Sequence, residues 1–215
     1  MPRVAQSLAL VGLLSVSAVI GRAESRTLVI FLTSDASITP AISTEIKQEV
    51  GHLMQTAAID VDWRDPAVDR GGVENDYSAV VKLRGSCRPP EPSIRFEHAV
   101  SGPFPLASSA VADGVILPFG DIDCAALNAF LGPSLWKESA RVREFEYARA
   151  VARLMAHELY HVIEQTGVHG HTGITKPAFT VAELLGDHFE FTESAFTESG
   201  SHDAAESSSI DSAGK

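Results

Sequence analysis

The stretch 139–167, SARVREFEYARAVARLMAHELYHVIEQTG, contains the most regular pattern of the chain. Its apolar residues recur at steps of three and four, which is typical of a helix buried along one side. Ser139 is a suitable N-cap, and Gly167 is of the residue type that closes helices in a left-handed conformation. The pattern therefore predicts one long helix. Its apolar stripe comprises Val142, Phe145, Ala148, Val151, Met155, Leu159 and Val162.

Two histidines and a glutamate fall in the last turns of this predicted helix. His157 and His161 are four residues apart, so both imidazoles lie on one face and can reach one ion. Glu158 lies beside them, and His169 follows on the chain that bends back after the helix. A catalytic zinc needs three protein ligands, a position for water and a carboxylate that takes the water's proton. We therefore expect the three histidines to bind Zn²⁺, with Glu158 as the general base.

This arrangement resembles the metzincin clan of zinc metalloproteases, in which a helical two-His motif precedes a glycine turn, a third His and a tight turn containing Met. Here the third His follows the second by eight residues where most metzincins have six, and Glu164 stands where they have Gly. The stretch 169–175 resembles the third ligand and a Gly-Ile-Met turn of some bacterial metzincin-like proteins, with Thr175 in place of Met. The resemblance implies a zinc endopeptidase that hydrolyses peptide bonds.

A second zinc-protease clan, the gluzincins, competes for the same histidines. In that clan the third ligand is a Glu on a later helix, and an Asp one turn further on orients a ligand His. Glu183 and Asp187 have this relation. His169 is favoured because it follows the helix-ending glycine directly, and Glu183 is the alternative third ligand. His171 ranks below both, since a single residue separates it from His169.

Two further interpretations stay open. The motif could belong to a helix that carries two histidines and a glutamate on its solvated side by chance. The site could also be a closed, non-catalytic zinc site, which needs a fourth protein ligand such as His171 or Glu183. A related hypothesis for the function is a non-proteolytic zinc-containing binding protein that keeps the same scaffold, which Thr175 at the Met position favours.

The first residues, 1–23, have the features of a secretory signal peptide. They show a basic start, an uncharged middle over 4–20 and small residues before Ala23. We therefore expect an exported protein, secreted or periplasmic, with its metalloprotease domain over 24–193. The Ser-rich, acidic stretch 194–215 is expected to be a disordered tail. In an oxidising compartment, Cys87 and Cys124 are expected to form a disulfide.

The net charge of the chain limits the expected partners, and its length limits the expected number of domains. The chain has 215 residues and a formal net charge of −11, and loss of Arg3 and Arg22 with the signal makes it −13. Neither nucleic acid nor, after signal cleavage, a membrane is therefore an expected partner, whereas a peptide or protein substrate is. The remaining length suits one domain. No pattern in the sequence indicates an oligomeric state.

The residues before the motif helix predict an α/β fold. An apolar run at 27–33 is typical of a strand buried on both faces, and 40–56 has helical spacing. A strand–helix–strand start implies a parallel pair joined by a right-handed crossover. The resemblance implies a metzincin-like, zincin domain: a twisted mixed sheet of about four to five strands with two long helices. The further strands are predicted at 59–63, 77–83, 93–100 and 114–117.

The resemblance also implies where a substrate would bind. Metzincins pair an extended peptide with the antiparallel edge strand of the sheet above the zinc. That edge is expected at residues 96–101. The alternative is an ordinary surface strand or loop, which the prolines around this segment favour. The small and proline-containing stretch 103–112 is predicted to be a surface loop that flanks the cleft.

Overall fold

The computed structural model describes residues 25–69, 71, 75–89, 91, 105–191 and 196. The predicted signal peptide, the predicted strand at 93–100 and nearly all of the predicted tail lie outside the described residues. The described elements are β1 Arg26–Ser34, α1 Pro40–Thr56, β2 Ile59–Arg64, β3 Tyr77–Arg84, β4 Ala107–Ala112, β5 Val115–Asp123, α2 Cys124–Leu135, α3 Ala140–Glu164, the 3₁₀ turn Gly173–Thr175 and α4 Val181–Leu185.

The strands form one mixed sheet of five strands in the order β2-β1-β3-β5-β4. Strand β1 runs parallel to both β2 and β3, β3 runs parallel to β5, and β4 pairs antiparallel with β5 at the edge. The predicted α/β class, with a mixed sheet and two long helices, is confirmed. In the described part of the chain, no helix is long and apolar enough to span a bilayer.

The two long helices, α1 and α3, pack on each other and cover the same face of the sheet. Helix α1 contacts β2, whereas α3 contacts β4 and β5. Thr39 caps α1 by accepting the Ile42 amide, and Pro40 begins it with a preset φ. The core between the helices and the sheet contains Leu28, Ile30, Ile46, Val50, Leu53, Val81, Ile122, Val151, Met155 and Leu159.

Helix α3 confirms the predicted long helix, with Ser139 accepting the Val142 amide as its N-cap. Its burial differs from the predicted stripe in two ways. Val142 and Phe145 are 39% and 44% exposed, so their predicted burial was wrong. From residue 147 to 163 the helix is buried on every side, because the sheet, α1, α2 and α4 all pack around it.

The end of α3 also differs from the prediction. The helix stops at Glu164, and Gln165 takes the left-handed conformation with φ 49°, so the expected closure at Gly167 was wrong. A left-handed conformation is costly for a residue with a Cβ. The Gln165 carboxamide offsets this by donating to the Val162 carbonyl at 2.7 Å, which caps the helix end.

The stretch 103–112, predicted as a surface loop, contains strand β4, so that prediction was wrong for its second half. Asp113 and Gly114 both have positive φ and form a two-residue hairpin turn from β4 into β5. Strand β5 is longer than predicted and continues through Pro118. The proline is tolerated because it lies at the register shift between the paired segments of β4 and β5.

Helix α2 has no counterpart among the predicted elements. It begins at the end of β5, where the Asp123 carboxylate accepts the amides of Ala125 and Ala126. The predicted disulfide is present, and it joins Cys87, after β3, to Cys124 at the start of α2. The disulfide therefore fixes the start of α2 to the end of β3, beside α3.

Candidate metal centre and cleft

The three predicted ligand histidines lie together. His157 and His161 are 7% and 5% exposed on α3, while His169 is exposed on the loop that follows. One ligand atom of each lies within 4.8 Å of those of the other two. Within the described residues, this is the group of His, Cys, Asp and Glu side chains placed to hold a metal ion, and neither His171 nor Glu183 belongs to it.

Backbone carbonyls orient the two helical imidazoles. The Nδ1 atom of His157 lies 2.6 Å from the Ile174 carbonyl, and that of His161 lies 2.6 Å from the Thr166 carbonyl. A carbonyl oxygen can only accept, so both Nδ1 atoms must carry the proton and donate it. Both Nε2 atoms are then unprotonated, which is the form that binds a metal.

The unprotonated Nε2 atoms of His157 and His161 face each other at 3.1 Å. Two lone pairs at that distance repel unless a cation or a proton lies between them. Two nitrogens bound tetrahedrally to zinc at about 2.05 Å lie about 3.3 Å apart, close to the observed separation. The donor set therefore fits Zn²⁺, and the exposed His169 ring is within reach as the third ligand.

Burial keeps these imidazoles neutral. It lowers the pKa of His157 to about 4, and this outweighs the opposing effect of the hydrogen bond to the Ile174 carbonyl. Burial also lowers the pKa of His161. Both rings are therefore unprotonated on Nε2 at neutral pH, ready for a metal without the loss of a proton.

Glu158 is 4% exposed and is held by residues of the sheet. The Ser109 hydroxyl of β4 donates to its Oε2 at 2.6 Å. Gly120 of β5 lies beside it, since a Cβ there would be in ordinary contact with the Glu158 Cβ at 3.4 Å. Burial raises the pKa of Glu158 to about 7, although the Ser109 hydrogen bond lowers it. A carboxyl with this pKa is suited to exchange protons near neutral pH.

The loop that carries His169 closes on itself. The Gly170 amide donates to the Thr175 carbonyl at 2.9 Å, and the Thr175 hydroxyl donates to the Thr172 carbonyl at 3.1 Å. A side chain on Gly170 would overlap Thr175 Oγ1. Thr175 is thus buried and fitted against the residue that follows His169.

Glu183, the alternative third ligand, has other partners. Its Oε1 pairs with the Lys176 ammonium, and its Oε2 accepts the amide and the hydroxyl of Thr180 in a capping box. Both carboxylate oxygens are therefore engaged in holding the start of α4. Asp187 is not needed to orient a ligand either, because carbonyls already bind Nδ1 of both helical histidines.

The three histidines and Glu158 line a cleft of about 630 Å³. Strand β4 forms one wall, so the stretch 103–112 flanks the cleft as expected although it is a strand. The expected edge at 96–101 lies outside the described residues. Four neighbours of the site residues could not be identified from the sequence: Ser109, Gly120 and the carbonyls of Ile174 and Thr166. The apolar part of the lining comprises Pro105, Leu106, Val111, Ile116, Phe130, Leu154, Pro177 and Phe179.

No protein-family model matches the sequence, and no curated protein matches it. Among solved structures, archaemetzincin from Methanopyrus kandleri is similar to this chain at 12% identity, with a TM-score of 0.38. The match covers 77% of this chain and 88% of that chain. At this identity and TM-score, the likeness carries no argument about the function of this chain.

Proposed function

We propose that this protein is a zinc-dependent endopeptidase of the metzincin kind, with His157, His161 and His169 as ligands and Glu158 as general base. One observation carries the proposal. Two unprotonated Nε2 atoms face each other at 3.1 Å beside a third imidazole and a buried carboxyl, all at the floor of one cleft. A helix that carried two histidines on its solvated side by chance would leave them exposed. Their Nδ1 atoms would also have no carbonyl partners such as those observed here.

The residues of the chain divide the chemistry between them. Zinc, when bound, supplies a Lewis acid that polarises a peptide carbonyl and acidifies a water. Glu158 accepts a proton from the attacking water and passes it to the leaving amine. Ser109 holds the Oε2 atom of Glu158, which leaves Oε1 to take the proton. The carbonyls of Ile174 and Thr166 keep both helical imidazoles in the binding tautomer.

Strand β4 supports a peptide as the substrate. It is the last strand of the described sheet, it runs antiparallel to its neighbour, and it lines the cleft beside Glu158. Within the part of the chain that the structure describes, no strand pairs with its outer edge, where an extended peptide would add as a further strand. The substrate class is therefore a peptide or protein segment in extended conformation.

A substitution that separates metal binding from turnover tests the proposal. In Glu158→Gln, zinc measured by elemental analysis should stay at one per chain, while hydrolysis of fluorescently labelled casein should fall at least about 1,000-fold. Glu138→Gln, an exposed change just before α3, is the control and should hydrolyse like the parent. A Glu158→Gln variant with parental hydrolysis would refute the role of Glu158.

Measuring zinc content and casein hydrolysis also tests the alternative of a closed, non-catalytic zinc site. A parent protein with such a site would bind zinc but would not hydrolyse casein. It is disfavoured because the candidate ligand group among the described residues has three members, and a closed tetrahedral site needs four. The gluzincin arrangement is disfavoured because Glu183 is engaged by Lys176 and Thr180.

We also propose that the protein is exported, either secreted or periplasmic. The Cys87–Cys124 disulfide supports this, since structural disulfides are rare in reducing compartments. The net charge of −11 disfavours nucleic acid as a partner. N-terminal sequencing of the protein from cell fractions should give a start near residue 24 in a non-cytoplasmic fraction. A full-length cytoplasmic product would contradict export.

A further inference from the structure

Arg153 is a buried charged residue on α3 that the proposed hydrolysis does not use. It is 2% exposed and lies one helical turn before His157. A buried guanidinium is costly unless its donors find partners. The partners of Arg153 therefore indicate what the residue holds together.

Arg153 joins three parts of the chain. Its Nε donates to Glu49 of α1 at 2.9 Å. Its Nη1 donates to two carbonyls of α4, those of Glu183 at 3.2 Å and Leu184 at 2.8 Å. The guanidinium carbon lies 5.0 Å from the centre of the Phe189 ring. Arg153 thus fastens α4 and the residues after it against α3.

The fastened segment, residues 181–191, reaches His157 through a chain of hydrogen bonds. The Ile174 amide donates to the Glu190 carbonyl at 3.1 Å. The Ile174 carbonyl in turn accepts the Nδ1 proton of His157 at 2.6 Å. The position of the carbonyl that orients the imidazole therefore depends on where this segment lies.

The same segment reaches His157 by ring packing. The Phe189 ring lies 5.2 Å from that of Phe179, and Phe179 meets the His157 imidazole edge to face at 5.3 Å and 88°. The hydrogen bonds act at Nδ1 of His157, and the ring packing acts on its imidazole ring. Both routes begin at residues that Arg153 contacts or fastens.

We propose that Arg153 is a positioning residue, which sets the orientation of the His157 imidazole by fastening residues 181–191 against α3. The inference rests on the proposed function for the identity of the ion. The orientation of the ring is a property of the chain alone, so it can be measured without zinc. Arg153 itself touches neither the ion nor the substrate.

The test compares Arg153→Met with Ile46→Ala in the full-length protein labelled with ¹⁵N-histidine. Ile46 is buried on α1 and belongs to neither contact route, so its truncation destabilises the core without moving residues 181–191. In zinc-free protein, the His157 Nδ1 proton should exchange with solvent at least about tenfold faster in Arg153→Met than in Ile46→Ala. Zinc affinity, from competition with a chelator, should fall about 10–100-fold in Arg153→Met alone.

Equal proton exchange in Arg153→Met and the parent would overturn the inference, as would equal acceleration in Ile46→Ala. Should Arg153→Met fail to fold because Glu49 loses its nearer guanidinium and keeps only Arg149 at 3.8 Å, Arg153→Lys replaces it. Lysine keeps the charge opposite Glu49 but lacks the planar fork that spans two carbonyls and a ring. Exchange as slow as in the parent would then overturn the inference. A parent that binds no zinc would refute the proposed function, while proton exchange would still decide the role of Arg153.

Discussion

The two parts of the site, helix α3 and the loop after it, are built in opposite ways. His157, Glu158 and His161 are at most 7% exposed within a helix that is buried from residue 147 to 163. His169 is exposed, and Val168 beside it is 73% exposed. The helix thus presents candidate ligands whose positions are set by packing. The loop presents a candidate ligand whose position is set by a few local hydrogen bonds, so it can adjust when an ion binds.

The largest effect is expected when one histidine is removed from each part. His161→Ala should bind zinc at least about tenfold more weakly than His169→Ala, a difference of about 1.4 kcal/mol. After loss of His169, the two Nε2 atoms at 3.1 Å remain aligned by the helix, whereas loss of His161 leaves one histidine on the helix and one on the exposed loop. Zinc affinities from chelator competition give the comparison. Equal affinities would show that the loop is as well ordered as the helix.

A pair of truncations tests whether the packing differs as described. Met155→Ala, fully buried in α3, should lower the free energy of unfolding by about 2–5 kcal/mol. Val168→Ala, in the exposed loop, should change it by no more than about 0.5 kcal/mol. Urea unfolding followed by circular dichroism measures both. A cost above about 2 kcal/mol for Val168→Ala would mean that the loop is part of the core.

The helical part of the site could be predicted because its signals are local. Spacing of three and four residues placed His157 and His161 on one face, and Ser139 was correctly identified as the N-cap. The exposure of Val142 and Phe145 could not be read from spacing, since it depends on where neighbouring elements stop. Gln165 replaced the expected Gly167 as the left-handed residue because its own side chain caps the helix.

The partners of the site residues could not be predicted because they carry little or no sequence signal. The two carbonyls that orient the imidazoles belong to Ile174 and Thr166, but every residue has a carbonyl. Ser109 lies on β4, whose small residues have no clear alternation of polar and apolar positions. The Asp113-Gly114 pair, a known hairpin signal, would have identified that strand.

The Gly170–Thr175 contact tests how the loop is held. Gly170→Ala and Thr175→Met should each weaken zinc binding about 10–100-fold. A Cβ on Gly170 overlaps Thr175 Oγ1, and Met at 175 loses the hydroxyl bond to the Thr172 carbonyl, so each change displaces His169. Thr175→Ser keeps the hydroxyl bond to the Thr172 carbonyl and should bind zinc like the parent. Affinity is again measured by chelator competition. Tighter binding by Thr175→Met would mean that the metzincin Met suits this loop after all.

The smallest expected effect concerns the ion pair that follows the loop. The Lys176 ammonium, and then the Thr180 amide and hydroxyl, lower the pKa of Glu183 to about 2 from an ordinary value of 4.5. A lowered pKa in the folded state gives stability that is present above pH 4.5 and is lost as the pH falls toward 2. Since the Glu183 side chain is 37% exposed, the contribution should be less than about 1 kcal/mol.

Lys176→Met removes the main cause of that low pKa, so its stability should fall less steeply than the parent's between pH 4.5 and pH 2. Urea unfolding at several pH values in this window measures the slope, and Lys137→Met, an exposed change next to α2, is the control. Parallel curves for Lys176→Met and the parent would show that Glu183 is not held by this lysine. The Oε1 atom of Glu183 would then be available to bind the ion, and the choice of His169 as third ligand would have to be tested against it directly.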